Sequence, residues 1–209
     1  MKMTINIETF DHCSFDKNEF SKIHTLLRES FEGHFTSLLT RQQLRKYLCD
    51  ISNDIKYSKF HIAFKEGEII GFAAVGSEVS LMNVFKKIES IKNFTEAFML
   101  LIRLILNPKI FFSTLRNLII RNSKSPKFRI KKNNASYLAY ICTDRLITSK
   151  GLGTKLIRSI LKSLREAEIQ YIYCYMDATS HAVNRFYVKN DWIVLSKNSP
   201  RSIAYYKVF

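Results

Sequence analysis

Apolar positions along the chain recur with two periods, and each period marks a kind of element. Met3–Phe10 alternates apolar and polar residues and predicts a first strand. Over Asn18–Ser30, Phe20, Ile23, Leu26 and Leu27 fall at helical spacing, with Phe31 just beyond, and a second helix is expected over Thr40–Ile51. Phe60–Phe64 and Glu68–Val79 flank the charged, glycine-bearing turn Lys65-Glu66-Gly67-Glu68 and read as a hairpin. Further on, Tyr137–Thr143 predicts a strand and Gly151–Ala167 a helix. In that helix Leu152, Leu156, Ile160 and Leu164 form one stripe, reinforced by Ile157 and Leu161, while Lys155, Arg158, Lys162 and Arg165 face away. Tyr171–Met176 then reads as a strand, Ala182–Asn190 as a short helix, and Trp192–Leu195 and Ala204–Val208 as closing strands. Strands interleaved with helices, without an internal repeat, place the chain in the α/β or α+β class.

Between the hairpin and the strand at Tyr137 lies an insert, roughly residues 80–134. Its middle, Phe94–Ile120, is dense in Phe, Leu and Ile, but Arg103, Asn107-Pro108-Lys109 and Arg116 interrupt it. Crossing a bilayer takes about 20 mostly apolar residues, so two amphipathic helices hinged at Pro108 are the expectation. Within residues 81–132, twelve Lys and Arg face only Glu89 and Glu96. An apolar face beside a cationic one suits anionic membrane lipid or a lipid-linked substrate. The plainer reading is a cover over the acceptor side of a cleft, or a homodimer surface, with a solvated basic face. Nucleic acid ranks last among the anionic partners.

Composition narrows the picture. At 209 residues, with 46% hydrophobic and 24% charged residues, the chain suits one globular domain over 1–209 carrying the insert at about 80–134. The net charge of +15 steers any anionic ligand toward it. Cys13, Cys49, Cys142 and Cys174 form no CxxC pair and read as reduced thiols. Met1-Lys2-Met3-Thr4 lacks the apolar run of a signal peptide. The expected location is therefore cytoplasmic, with the insert offering peripheral contact to the inner face of the membrane. None of His12, His24, His34, His61 and His181 stands at a metal-ligand spacing, so no metal is expected, and no G-x-S-x-G supports serine chemistry.

The chemistry concentrates at Thr148-Ser149-Lys150-Gly151-Leu152-Gly153-Thr154. Two of only six glycines stand there at i, i+2, between a strand and a helix. A glycine-bearing loop that opens a helix leaves backbone N–H groups unpaired, with the positive end of the helix dipole behind them, and so seats phosphate. A dinucleotide fingerprint would need glycine where Leu156 stands. A nucleotide P-loop would need Lys and Ser/Thr directly after the last glycine, but Gly153 is followed by Thr154 and then Lys155.

In register, Thr148-x-x-Gly151-x-Gly153 resembles the Arg/Gln-x-x-Gly-x-Gly/Ala loop of the GNAT superfamily of N-acetyltransferases, with Thr148 in place of Arg or Gln. Asn184-Arg185-Phe186-Tyr187-Val188-Lys189-Asn190-Asp191-Trp192 is similar to that family's second signature. There Asn190-Asp191 stands at the usual Asn/Leu-Gly turn and Trp192 at the usual Phe. The resemblance is specific over residues 135–195. It implies a mixed, largely antiparallel central sheet flanked by helices, with the helical insert before the fourth strand.

It also implies acetyl-CoA as co-substrate. Thr148, Ser149, Lys150, Gly151, Leu152, Gly153 and Thr154 would then cradle the pyrophosphate. Ile141, Cys142 and Thr143 would meet the pantetheine arm through their backbone, and Asn184 would bond it in a splayed gap between the central strands. An N–H near Ile141 would polarise the thioester carbonyl, and one such donor contributes about 3 kcal/mol. Tyr187 would protonate the departing thiolate, the alternative being that it only packs with Phe186. Asp144, Asp177 and His181 lie at strand ends as candidate bases, the plainer reading of each being a surface or capping residue, and a water chain could serve with no dedicated residue. The implied acceptor is a primary amine of a small molecule, with amino sugars among the candidates. The other reading keeps the fold as a non-catalytic basic module for membrane or nucleic acid.

Overall fold

The computed structural model describes residues 4–10, 15–52, 57–76, 94–112, 114, 134–146, 151–177, 179–199 and 202–208, with backbone only at 52, 94–98, 177, 195–199 and 202–208. In chain order these form β1 (Ile5–Phe10), α1 (Lys17–Ser30), a 3-10 turn (Phe35–Leu38), α2 (Arg41–Ser52), β2 (Lys59–Lys65), β3 (Glu68–Gly76) and α3 (Phe94–Ile105). There follow β4 (Ala135–Thr143), α4 (Leu152–Glu166), β5 (Tyr171–Asp177), α5 (His181–Lys189), β6 (Ile193–Ser199) and β7 (Ser202–Val208). Seven strands make one sheet in the order β1-β2-β3-β4-β5-β7-β6. Only β4 and β5 run parallel; every other pair is antiparallel. The expected mixed, largely antiparallel sheet is the one observed.

Local chemistry explains where the elements begin and turn. Asp16 caps α1: its carboxylate accepts from Asn18 N–H and Glu19 N–H at 2.7 Å each, and Glu19 accepts from Asp16 N–H at 3.0 Å. Thr40 and Gln43 repeat the reciprocal arrangement ahead of α2, at 3.2 and 3.0 Å. Between β2 and β3, Glu66 and Gly67 both take positive φ (53° and 82°), as a two-residue turn matched to strand twist requires. In the insert, α3 ends at Ile105 and a new helical run starts at Pro108 and is described to Phe112. Proline suits that first position, where its missing N–H costs nothing. The strand expected at 77–79 and most of the insert lie outside the described residues.

The two faces of the sheet carry separate cores. On one side α1, α2 and α3 bury Ile23, Leu26, Leu27, Leu44, Leu48 and Leu100 against Phe60, Phe72 and Tyr140. On the other, the α4 stripe of Leu156, Ile157, Ile160 and Leu164 meets Val75, Leu138 and Ile172. The stripe lies inward, and Lys155, Arg158, Lys162 and Arg165 are exposed.

A polar cluster sits inside this second layer. His61 of β2 is fully buried, with Nδ1 3.0 Å from Ser159 Oγ and 3.4 Å from Thr9 Oγ1, and Nε2 3.3 Å from Tyr57 Oη. Burial, helped by the charge of Lys59, lowers its pKa from 6.5 to about 4. The unfolded chain takes up this proton near pH 6.5 while the folded protein resists it. Stability is therefore complete above that pH and is lost as pH falls from 6.5 through about 4. The expected loss by pH 5 is about 2 kcal/mol. Burial shifts His24 in the same direction. Urea unfolding between pH 4 and 7 checks this: His61→Gln should flatten the slope, and an unchanged slope would refute it.

Candidate active site

The parallel strands β4 and β5 stay paired only from Ala135–Tyr171 to Tyr137–Tyr173. Beyond that point β4 continues along β3 and β5 continues along β7. The sheet is thereby split into a wedge that opens toward the C-terminal ends of both strands. A bulge lies at the split, since Val75 pairs with Leu138 and Ala74 with Tyr140, which leaves Ala139 as the extra residue. A bulge sharpens local twist and redirects the strand, which separates β4 from β5 just where their pairing stops.

The wedge leaves backbone groups without a strand partner. Asp144 N–H donates to Ile70 O at 2.8 Å, and this sets the alternation along the β3–β4 ladder. Cys142 therefore turns its peptide groups to β3, whereas Ile141 and Thr143 turn theirs to the wedge. Of the three β4 residues expected to meet a cofactor arm, Cys142 is corrected: its N–H and C=O belong to the sheet. Its thiol is buried too, 3.6 Å from Phe72 O, and desolvation pushes its pKa up to about 12.

Two helix N-termini stand at the mouth of the wedge, because α4 follows β4 and α5 follows β5. Gly151 caps α4 at φ 95°, exposed, and a Cβ there would meet nothing within 4 Å, so conformation alone selects glycine. Gly153 is glycine for space: a Cβ would lie 3.1 and 3.2 Å from the Phe186 ring of α5. Leu152 is buried and Thr154 half-buried, which seats the first turn against the core. Gly151 has no side chain with which to cap this end, and the first turn holds no acidic residue. The α5 end is similarly uncapped by Ser180 and free of acids. Asn184, with His181, Arg185, Val188 and Lys189, lines an open depression of about 780 Å³ beside it. Thr148, Ser149 and Lys150 lie outside the described residues.

Tyr187 reaches the apex of the wedge. It is 1% exposed, with its ring edge-on to Phe186 (5.3 Å) and Trp192 (5.0 Å). Its hydroxyl is hydrogen-bonded to the thiol of Cys174, the first β5 residue past the last β4–β5 pair. Burial, then the Cys174 and Tyr137 neighbours, raises its pKa well above 10, so the phenol stays protonated at neutral pH. Asp191 takes φ 61° at the turn that follows α5, where the resembling signature has glycine.

The candidate bases fare differently. Both oxygens of Asp144 are engaged, Oδ1 accepting from Leu146 N–H at 2.9 Å and Oδ2 lying 3.5 Å from Lys22 Nζ, and the side chain is nearly buried. It holds the start of the loop to α1. His181 is exposed at the first position of α5. The Asp177 side chain lies outside the described residues. Sequence reading missed the bulge, the Lys22–Asp144 pair and a cluster of tyrosines where the strands part. There the rings of Tyr137, Tyr173 and Tyr175 stand 5.3 to 6.1 Å apart. The alternation of Tyr171, Tyr173 and Tyr175 on one strand face was the available signal for that cluster. Among the described residues, no three His, Cys, Asp or Glu side chains gather as metal ligands.

A parallel pair that splits toward its C-terminal ends, followed by a glycine-opened helix, defines a mixed α/β fold built around an open cleft. The chain belongs to the acetyltransferase (GNAT) family, whose model matches residues 20–192. No curated protein sequence matches it. Among solved structures it is similar to the PaiA N-acetyltransferase of Thermoplasma acidophilum in complex with coenzyme A, at 14% identity over 99% of this chain and 100% of that one (TM-score 0.57). The ribosomal-protein-alanine N-acetyltransferase of Brucella melitensis aligns at 10% identity over 98% and 99% (TM-score 0.60). An N-acetyltransferase of Staphylococcus aureus Mu50 aligns at 10% over 97% and 98% (TM-score 0.57). At these identities the likeness is one of fold.

Proposed function

We propose that this protein transfers an acetyl group from acetyl-CoA to a primary amine of a small molecule, with an amino sugar as the favoured acceptor. The observation that carries this reading is the wedge itself, with the Tyr187 hydroxyl at its apex and a helix N-terminus opened by Gly151 at its mouth. The N–H groups of Leu152, Gly153 and Thr154 at the open side of Gly151 fit a pyrophosphate, and the absence of acid from that turn keeps the dipole unopposed. Acetyl-CoA supplies the activated acetyl as a thioester. Ile141 and Thr143 turn N–H groups to the wedge, where they would stabilise the oxyanion formed as the amine nitrogen bonds the carbonyl carbon. As the C–S bond breaks, Tyr187 would give its proton to sulfur. The ammonium proton leaves to water or to the exposed His181.

The tyrosines at the split support a sugar-like acceptor, because aromatic faces with hydroxyl edges match a ring that has apolar faces and polar rims. Thiol release from acetyl-CoA, measured against amino sugars, polyamines, free lysine and a peptide N-terminus, tests the reading. Amine-dependent release fastest with an amino sugar is expected. Release with none of these amines, from a protein that still binds acetyl-CoA, would refute it.

A further inference from the structure

Two thiols are buried among the described residues, and they are partnered differently. Cys142 on β4 donates to Phe72 O at 3.6 Å. A carbonyl only accepts, so that bond runs one way. Cys174 on β5 is instead hydrogen-bonded to the Tyr187 hydroxyl at the apex of the wedge. A thiol and a phenol each carry one proton and can each accept another group's, so this bond can run in either direction. Both side chains are 1% exposed and share a core with Leu164, Ile172 and Trp192, which keeps water from competing for the bond. Burial also pushes the Cys174 thiol up, so it keeps its proton at neutral and mildly alkaline pH.

We propose that Cys174 is a positioning residue for acyl transfer: it holds the Tyr187 proton before the thioester breaks and hydrogen-bonds the phenolate afterwards. The inference rests on the reading of Tyr187 as the acid. In the resting protein Tyr187 Oη donates to Cys174 Sγ, a weak acceptor, which aims the hydroxyl without retaining its proton. As the C–S bond breaks, its electron pair stays on the CoA sulfur. The O–H bond of Tyr187 then breaks, and an S–H bond forms on CoA. The phenolate left behind is buried, where a charge without a partner is costly. The Cys174 S–H turns and donates to that oxygen, its own bond intact, until water returns a proton to Tyr187. Ring packing against Phe186 and Trp192 keeps the oxygen in place through the exchange. A side chain that only accepts, or that does neither, could not serve both moments.

Cys174→Ala and Cys174→Ser, each alone and combined with Tyr187→Phe, test it in thiol release from acetyl-CoA with glucosamine as the amine. Cys174→Ala is expected to lower kcat about tenfold while KM for acetyl-CoA stays within about twofold. Cys174→Ser, whose hydroxyl also gives and accepts, should keep kcat within about threefold of wild type. In the Tyr187→Phe background, Cys174→Ala should change nothing further. Cys174→Val fills the space that Ala leaves and carries the same expectation, so a loosened core cannot stand in for the lost bond. Independently of turnover, the infrared S–H band that Cys174→Ser removes should shift in Tyr187→Phe. A wild-type kcat in Cys174→Ala beside a slow Tyr187→Phe would overturn the inference and leave the acid reading standing. A wild-type kcat in Tyr187→Phe would remove both. Cys174→Ser as slow as Cys174→Ala, or an S–H band that Tyr187→Phe leaves in place, would also overturn it, since Cys174 would then act through packing alone.

Discussion

Tyr187→Phe is expected to lower kcat for acetyl transfer by about 100-fold or more while acetyl-CoA affinity and the fold are retained. The magnitude is that of a positioned general acid. The retention follows from packing: the ring stacks edge-on with Phe186 and Trp192, and Phe preserves both contacts. The bond from the hydroxyl to the Cys174 thiol is lost, and a thiol is a weak partner. Because burial holds the phenol well above its usual pKa, it remains a proton donor through neutral and mildly alkaline pH. The wild-type kcat profile should therefore show no loss of activity from Tyr187 ionisation below pH 10. Steady-state kinetics of the variant decide the matter: a kcat within about threefold of wild type would leave Tyr187 as a packing residue and the acid step to solvent.

Acetyl-CoA at about 100 times its dissociation constant should stabilise the folded protein by about 2.7 kcal/mol, and so raise the melting temperature by about 5–10 °C. The sharper form of this prediction is a variant that moves two quantities in opposite directions. Thr154→Asp places a carboxylate in the first turn of α4, which now holds no acid. Against the helix dipole it should stabilise the unliganded protein by about 0.5 kcal/mol, yet repel a pyrophosphate and abolish most of the acetyl-CoA shift. A charged substitution at Gly153 would be less informative, because any side chain there also strikes Phe186. Thermal unfolding of both proteins with and without acetyl-CoA reads the result. An undiminished shift in Thr154→Asp would remove the α4 N-terminus from the binding site.

Much of the architecture was legible because it rests on local rules. Alternation marked β1, and Phe20, Ile23, Leu26 and Leu27 marked α1. The six apolar residues of the α4 stripe faced the sheet as their spacing implied, with Leu161 half-buried and the rest of the stripe buried. The capping pairs Asp16–Glu19 and Thr40–Gln43, which the sequence reading passed over, also follow a local rule, being set by residues three apart. Pro108 marked the break after α3 for the same reason. The glycine loop was legible as chemistry, but its two glycines turned out to have different causes: a left-handed backbone at Gly151 and the Phe186 ring at Gly153, 33 positions away.

What the sequence determined by itself, then, is the set of elements, the inward face of each, and a glycine-opened helix whose first turn carries no acid. These follow from periodicity, capping and conformational preference, all of which act over a few residues. What only the tertiary structure decided is the wedge between β4 and β5, the bulge at Ala139 that helps open it, the turning of Ile141 and Thr143 but not Cys142 into it, and the delivery of the Tyr187 hydroxyl to Cys174 at its apex. Each depends on which strands pair and where the pairing ends. That is a choice among contacts distant in sequence, settled by the packing of two cores on opposite faces of one sheet.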